Sequence, residues 1–180
     1  KANTLVVDVG TNAEIVFGNA DRMLAASSPT GPAFEGAQIS SGQRAAPGAI
    51  ERIRIDKDTL EPRFRVIGAE QWSDEDGFDE AVKTTGITGI CGSGIIEVLA
   101  EMYLAEILTS DGVIDGAVAA RSPRIEVDGR TFSYRVSDNV VVTQNDVRAI
   151  QLAKAALHAG FRLLMDKMEL TSVDRVVLAG

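Results

Sequence analysis

Cysteine and histidine are the scarcest reactive residues of this 180-residue sequence, with one of each. One cysteine excludes an internal disulfide framework and a self-contained CxxC metal site. The single histidine, His158, falls inside a predicted helix, so neither a Ser/His/Asp nor a Cys/His set can be assembled. Long apolar runs are also missing from the sequence: none approaches the roughly 20 residues of a membrane span. Because no signal-peptide pattern opens the chain, we predict a cytoplasmic protein without a membrane partner.

Basic and aromatic residues are few. The 18 Lys and Arg are outnumbered by 26 Asp and Glu, for a formal net charge of −8, and aromatics make up 5%. An acidic surface repels phosphate backbones, so we predict no nucleic-acid partner. An anionic ligand would have to be bound locally, by backbone N–H groups or through a metal ion. Apolar residues at 45% and 17 glycines favour an α/β fold with tight turns.

Apolar runs bounded by turn residues predict the strands. The first three form a tight antiparallel meander, followed by a long ordered loop at 27–48 with one helical turn at 34–38, a later hairpin and an exposed acidic loop at 71–80. Since the chain starts and stops within such runs, we expect it to be a piece of a longer chain. The predicted strands are 5–8, 13–17, 22–26, 49–56, 63–68, 124–127, 131–136, 140–142 and a buried last strand at 172–179.

Helical periodicity is found in two places. The apolar residues within 95–108 recur at helical spacing and would form one face of a helix, which we expect to end at Asp111-Gly112. Residues 146–168 form the stronger helix. Thr143 is its predicted N-cap, with Asp146 at the third helical position as an acidic relative of the capping box.

The first candidate site is the turn Asp8-Val9-Gly10-Thr11-Asn12 at the end of the first strand. A carboxylate at the end of a buried strand is costly without a partner, and hydrated Mg²⁺ is one such partner. Gly10 lets backbone N–H groups face a ligand, while Thr11 and Asn12 add a hydroxyl and an amide, so the turn suits phosphate oxygens. The alternative is a plain hairpin in which Asp8 accepts N–H bonds of the turn. These residues alone slightly favour that alternative.

The second candidate is Gly89-Ile90-Cys91-Gly92-Ser93-Gly94, which runs straight into the first predicted helix. Helix N-termini behind glycine-rich segments bind anions, because their free N–H groups and the helix dipole point at the ligand. The segment lacks a Walker A ending, and no strand is predicted before it, as a Rossmann fingerprint requires. Close packing that demands small residues explains the pattern equally well. A third, weaker candidate is Gly180, where a glycine after a strand lets a ligand approach the backbone.

Taken in this order, the Asp-x-Gly-Thr turn, the glycine-rich helix start and the strand ending in Ala-Gly resemble the second half of an ATPase domain of the acetate and sugar kinase/Hsp70/actin (ASKHA) class. More narrowly, the chain resembles the C-terminal ASKHA domain of the reductive activators of corrinoid-dependent enzymes, which are iron–sulfur proteins with a ferredoxin module. The matching stretches cover nearly the whole chain. They are 7–15, the segment 26–37 with its Ser-Pro-Thr-Gly-Pro-Ala-Phe-Glu-Gly run, 89–96 and 143–156.

The resemblance implies an RNase H-like or actin-like α/β subdomain, a mixed sheet flanked by helices. It implies that residues 1–180 are a single C-terminal subdomain without the ferredoxin module or the first phosphate-binding half. The implied ligands are ATP and Mg²⁺, while a [2Fe–2S] cluster would belong to the parent protein only. The implied site residues are Asp8 for catalysis and Mg²⁺, with Gly10, Thr11, Asn12, Gly92, Ser93, Gly94 and Gly180 contacting the nucleotide.

The function implied by the resemblance is coupling of ATP hydrolysis to electron transfer from an iron–sulfur cluster to a Co(II) corrinoid. This step regenerates Co(I) in corrinoid-dependent methyltransferase systems, so the implied partner is a corrinoid protein or such a methyltransferase, and a homodimer is left open. We expect the chain alone to be inactive as an enzyme. Two alternatives stay open: a non-enzymatic docking domain for a corrinoid protein, and an ASKHA small-molecule kinase.

The single cysteine generates a first prediction. Iron–sulfur clusters of the common types need four ligands, and Cys91 offers one thiolate. We expect the protein to stay colourless after anaerobic reconstitution with iron and sulfide, with the same absorbance spectrum as its Cys91→Ser variant. A stable visible spectrum corresponding to about one cluster per chain would contradict this.

Overall fold

A computed structural model describes residues 2–179, so the predicted contact at Gly180 lies outside the described residues. The chain divides into unit 1, Lys1–Phe34 with Ile150–Gly180, and unit 2, Glu35–Ala149. The strands are β1 (Thr4–Val9), β2 (Ala13–Gly18), β3 (Met23–Ser28), β4 (Ala49–Ile55), β5 (Pro62–Val66), β6 (Gly89–Ile90), β7 (Ile125–Asp128), β8 (Thr131–Ser137), β9 (Val140–Thr143) and β10 (Arg175–Ala179). The helices are α1 (Phe78–Val82), α2 (Gly92–Leu104) and α3 (Gln144–Met168), with 3-10 turns at Gly31–Ala33 and Gly116–Arg121.

Unit 1 is built on a mixed sheet with the strand order β10-β1-β2-β3. Strands β1, β2 and β3 pair antiparallel, which confirms the predicted meander, and β10 pairs parallel with β1. Alternate residues of β1 and β2 form the inner face, where Leu5 and Val7 lie opposite Phe17 and Ile15. Helix α3 covers this face with a set of side chains that pack on these four, among them Leu157, Phe161, Leu164, Met165 and Met168.

The last strand, β10, differs from the prediction. Its position in the sequence is correct, but Val176 is 58% and Leu178 is 75% exposed, so the prediction of a buried strand is wrong. The parallel register places these two side chains beside Leu5 and Val7 on the same face of the sheet. Because β10 stands at the end of the strand order, its side chains on this inner face lie beyond the part of the sheet that α3 covers. An apolar run therefore indicated a strand here without indicating burial.

Unit 2 contains two three-stranded sheets, with the orders β5-β4-β6 and β7-β8-β9. The predicted β4–β5 and β7–β8 hairpins are confirmed. Tyr134 of β8 connects the two sheets, since its buried hydroxyl donates to the Leu60 carbonyl at 2.8 Å. Leu60 adopts a left-handed φ of 62° in the β4–β5 turn. Burial raises the pKa of the Tyr134 hydroxyl, which therefore stays protonated as a hydrogen-bond donor.

Helix bounds are where sequence and structure disagree most. Helix α2 begins three residues earlier than predicted and ends at Leu104, because Glu106 takes a left-handed φ of 59° that the helix cannot continue. The turn at Gly112 belongs instead to a short bridge between Leu108 and Ile114. The acidic loop contains helix α1, whose Phe78 is buried edge-on against Phe64. A 3-10 turn at Gly31–Ala33 replaces the helical turn predicted at 34–38.

The first turn of α3 confirms the predicted capping box. Thr143 donates from its N–H and its hydroxyl to Asp146 Oδ2, both at 2.8 Å, and the Asp146 N–H donates back to the Thr143 hydroxyl at 3.2 Å. The second carboxylate oxygen, Oδ1, accepts from the Ser40 N–H at 2.7 Å and from the Ser40 hydroxyl at 3.0 Å. Asp146 therefore fixes the start of α3 and part of the long loop together.

We expect Asp146→Asn to lower the free energy of unfolding by about 2–4 kcal/mol, because an amide nitrogen cannot accept the hydrogen bonds that one carboxylate oxygen accepts. Asp146 is 3% exposed, so water cannot replace the lost acceptor. Asp76→Asn, at an exposed loop position, removes the same charge and serves as the control. Equal urea midpoints for the two variants would show that the buried carboxylate is dispensable.

Candidate functional site

The Asp8–Asn12 turn is the loop of the β1–β2 hairpin in unit 1. Val9 pairs with Ala13, which leaves Gly10, Thr11 and Asn12 as a three-residue loop, and the Gly10 N–H donates to the Asn12 carbonyl at 2.9 Å. The side chains of Asp8, Thr11 and Asn12 are exposed. The expected cost of a carboxylate without a partner does not apply to Asp8, because its strand is partly buried but its own side chain is exposed.

Gly10 has no local structural reason to be glycine. A Cβ built at this position would meet nothing closer than the Asn12 carbonyl at 3.5 Å, which is ordinary contact, and its φ is not left-handed. Glycines of this kind leave room for a ligand to approach the backbone. This open space at the tip of the hairpin is what a phosphate-binding turn requires, and a larger side chain would fill it.

A row of polar side chains crosses the sheet next to this turn. Asp8 lies directly opposite Glu14 on β2, and Glu14 lies opposite Ser27 on β3, so all three share the face that α3 does not cover. The Ser27 hydroxyl donates to Glu14 Oε1 at 3.3 Å. Two carboxylates directly opposite one another repel, and a bound cation would offset that repulsion. Glu14 was not predicted as a site residue, although the period-two alternation of β2 already places it on this face.

The second candidate forms the start of α2 in unit 2. Cys91 is the N-cap, and residues Gly92 to Gly94 form the first turn, whose N–H groups have no partner within the helix. The first two residues of the segment form the short strand β6, which pairs with the beginning of β4 and leads through Cys91 into the helix. No strand lies directly before Gly89, as predicted. The segment Ser41–Gln43 holds β6 on its other side, since Ile90 N–H donates to the Ser41 carbonyl and Gln43 N–H to the Ile90 carbonyl, both at 2.9 Å.

Packing accounts for part of this glycine-rich segment. A Cβ at Gly94 would overlap the Ile50 carbonyl oxygen and come within 2.8 Å of the Ile90 side chain. The Ser93 hydroxyl donates to the Glu51 carbonyl at 3.2 Å and lies 3.3 Å from the buried Cys91 sulfur. The alternative of close packing therefore explains Gly94, in contrast to Gly10.

Two glutamates fix α2 against β4. Beyond β6, the free edge of β4 donates its Ile53 N–H to Glu97 at 2.7 Å and its Ile55 N–H to Glu101 at 3.0 Å. Burial raises the pKa of Glu97, but the hydrogen bond from Arg54, the N–H of Ile53 and the charges of Arg54 and Arg52 outweigh it, so that the pKa lies below its ordinary value. Glu97 therefore remains ionised and the helix start stays in place near neutral pH.

The predicted site residues fall into separate groups in the structure. Asp8, Gly10, Thr11 and Asn12 lie in unit 1, and residues 92–94 lie in unit 2. Among residues 2–179, no group of three or more His, Cys, Asp or Glu side chains is placed to hold a metal ion. No helix in the same part of the chain has the length and apolarity to cross a membrane.

Comparison with known proteins places this fold in the ASKHA class of nucleotide-binding domains. The chain belongs to the family described as the C-terminal domain of RACo, the ASKHA domain, whose family model matches residues 2–180. The family and the α/β fold expected from the sequence motifs are thereby confirmed.

Three relatives illustrate the similarity. The corrinoid activation enzyme RamQ of Eubacterium limosum is 32% identical over 195 residues, which cover 100% of this chain and 30% of RamQ. A Methanosarcina barkeri protein named [Co(II) methylated amine-specific corrinoid protein] reductase is 28% identical over 173 residues, covering 90% of this chain and 28% of that protein. A solved structure of a reductive activator for corrinoid,iron-sulfur protein superimposes with a TM-score of 0.80 at 33% identity, covering 100% of this chain and 28% of the other. The chain thus spans less than a third of the length of these relatives.

The two glycines generate a paired prediction. We expect Gly94→Ala to lower the free energy of unfolding by about 1–3 kcal/mol, because the new methyl group collides with the backbone of β4. Gly10→Ala should change it by less than about 1 kcal/mol, because the space beside Gly10 is open. Chemical denaturation of both variants gives the comparison. A destabilised Gly10→Ala protein would mean that the hairpin itself requires this glycine.

Proposed function

We propose that this chain is the nucleotide-binding ASKHA domain of an ATP-dependent reductive activator whose substrate is the Co(II) form of a corrinoid protein. The observation that carries the proposal is the family match over residues 2–180. The printed names of the relatives, a corrinoid activation enzyme and a Co(II) corrinoid protein reductase, give the chemical class of the substrate. The iron–sulfur cluster that would supply the electron has no set of ligands in this sequence, which has one cysteine.

The phosphate contacts are assigned to the β1–β2 hairpin. Gly10 leaves the space, and the backbone N–H groups of Thr11 and Asn12 are the donors that would meet phosphate oxygens. Asp8 would hold Mg²⁺, which needs only one or two carboxylates when waters and phosphates complete its coordination. Glu14 would add negative charge on the same face. When bound, Mg²⁺ would neutralise the charge of the phosphates, and the residues of this chain would hold the metal and the phosphates in position.

The start of α2 is assigned to the nucleotide on separate grounds. Its first-turn N–H groups and the positive end of the helix dipole favour a negatively charged ligand. Glu97 and Glu101 hold this helix rigidly on β4, so the donors keep their direction without a ligand. The proposal includes Gly92 and Ser93 as contacts, together with Gly180.

Energy input is what the proposed partner chemistry requires. Reduction of a Co(II) corrinoid to Co(I) is uphill for ordinary biological reductants, and hydrolysis of ATP can drive it through a change in the relative positions of domains. A domain that binds nucleotide and changes its contacts upon hydrolysis is sufficient for that role. A single chain with part of the parent's length is expected to bind Mg·ATP weakly and to hydrolyse it negligibly.

Titration with Mg·ATP tests the proposal. In the ¹⁵N-labelled protein, we expect the amide signals of Gly10, Thr11 and Asn12 to shift on addition of Mg·ATP, and Asp8→Asn to weaken binding by roughly tenfold or more, as loss of a charged metal ligand should. Without Mg²⁺, the same substitution should have little effect on ATP binding. The melting temperature should hardly change, because Asp8 is exposed.

Asp21→Asn is the matched control, since Asp21 is an exposed aspartate in the turn at the opposite end of the same meander. It changes the net charge equally and should leave Mg·ATP affinity unaltered. Binding of Mg·ATP that is identical in the wild type and in Asp8→Asn would remove Asp8 from the site. Absence of any binding by the wild type would favour the docking-domain alternative.

A further inference from the structure

Two buried hydroxyl groups lie at the end of β3 and two residues beyond it, at the start of the Ser-Pro-Thr-Gly-Pro run. Ser28 is 3% and Thr30 is 5% exposed, so both need partners inside the protein. The Ser28 hydroxyl donates to the Ala156 carbonyl of α3 at 2.7 Å. The Thr30 hydroxyl donates to the Thr11 carbonyl at 3.4 Å, in the hairpin loop that the proposed function assigns to phosphate.

The contact of Thr30 is not the one that its position in the chain favours. Thr30 stands at the N-cap of the 3-10 turn Gly31–Ala33, where a threonine hydroxyl ordinarily accepts from the first backbone N–H groups. Here it makes no such capping bond. The hydroxyl instead turns toward Thr11, across a separation of 19 residues. A local structural role therefore does not account for it.

The backbone of Thr30 is held in place by hydrogen bonds that connect it to α3. The Thr30 N–H donates to the Ser28 carbonyl at 2.9 Å, and Ser28 is bound to α3 through Ala156. Gly160, one helical turn further, allows this close approach, because a Cβ there would come within 2.9 Å of Ile15 and 3.4 Å of Ser28. The three residues Ser28–Thr30 are thus held on the helix, and all of these contacts lie within unit 1.

The contact between Thr30 and the Thr11 carbonyl also determines the direction of the Asn12 N–H, because of the geometry of the peptide bond. The Thr11 carbonyl and the Asn12 N–H belong to one planar trans peptide, so they point in opposite directions. A hydrogen bond that draws the Thr11 carbonyl toward buried Thr30 turns the Asn12 N–H away from the protein. Asn12 itself is exposed.

We propose that Thr30 is a positioning residue: its hydroxyl holds the Thr11 carbonyl inward and so presents the Asn12 N–H to a nucleotide phosphate. The identity of the ligand in this inference rests on the proposed function, whereas the orientation of the turn by Thr30 is independent of that function. Thr30 does not touch the phosphate. It lowers the cost of binding, because the turn is already in the conformation that the ligand needs.

Three substitutions test this role. Thr30→Val keeps the shape of the side chain and removes the hydroxyl, whereas Thr30→Ser keeps a hydroxyl. Thr30→Ala also removes the hydroxyl and replaces the valine variant if that variant does not fold. The control is Thr131→Val, which removes a similar hydroxyl-to-carbonyl bond, 2.9 Å to Asp128, from the β7–β8 hairpin of unit 2. The readouts are the Asn12 amide signal without ligand, the Mg·ATP affinity from amide titration, and the melting temperature.

We expect Thr30→Val to move the Asn12 amide signal without ligand, and to weaken Mg·ATP binding about three- to tenfold, the effect of one hydrogen bond. Thr30→Ser should recover both properties, and Thr131→Val should change neither. A purely structural role would lower the melting temperature of Thr30→Val while leaving Asn12 and the affinity as in the wild type, and that result would overturn the inference. If the wild type binds no Mg·ATP, the proposed function fails, whereas the unliganded Asn12 signal still decides the role of Thr30.

Discussion

The packing of α3 on one face of β1 and β2 is the constraint on which the rest of unit 1 depends. Each fully buried aliphatic side chain contributes about 1.5–3 kcal/mol, so Leu5, Val7 and Ile15 fix the strands with this face inward. Because strand side chains alternate, a slip of one residue would bury Asp8 and expose Val7. The same apolar contacts that stabilise the core therefore determine that Asp8 and Glu14 face outward together.

This alternation also explains how much of the fold could be predicted from the sequence. The meander, the two predicted hairpins of unit 2 and the capping box at Thr143 and Asp146 follow from local patterns, and the structure confirms them. The end of α2 could not be predicted, because the apolar residue Ile107 fits the helical spacing but is buried in the bridge region that follows. The prediction that β10 is buried was wrong for a related reason. Apolar residues predict a strand, whereas the exposure of that strand depends on which helices cover it.

For the candidate site too, local sequence motifs predicted some features, whereas others depend on residues that are distant in the sequence. Sequence motifs indicated Asp8, Gly10 and the start of α2, but the same motifs could not separate a glycine kept for a ligand from one kept for packing. The distinction lies in distant neighbours, since Ile50 occupies the space beside Gly94 while the space beside Gly10 is empty. The contact between the Thr30 hydroxyl and the Thr11 carbonyl could not be predicted for the same reason, because the two residues are 19 positions apart in the sequence.

The β1–β2 hairpin loop, which we propose as a nucleotide-binding turn, needs an ordered backbone for that role, although loops are ordinarily the least stable parts of a fold. In unit 1 the turn is not stabilised by burial of its own side chains, since Thr11 and Asn12 are exposed. Its order has to come from the strands that flank it and from hydrogen bonds to buried groups behind it. Ser28 and Thr30 connect it to α3, whose apolar side chains pack on β1 and β2. The packing of the core thereby orders the backbone of a loop whose Thr11 and Asn12 side chains remain exposed.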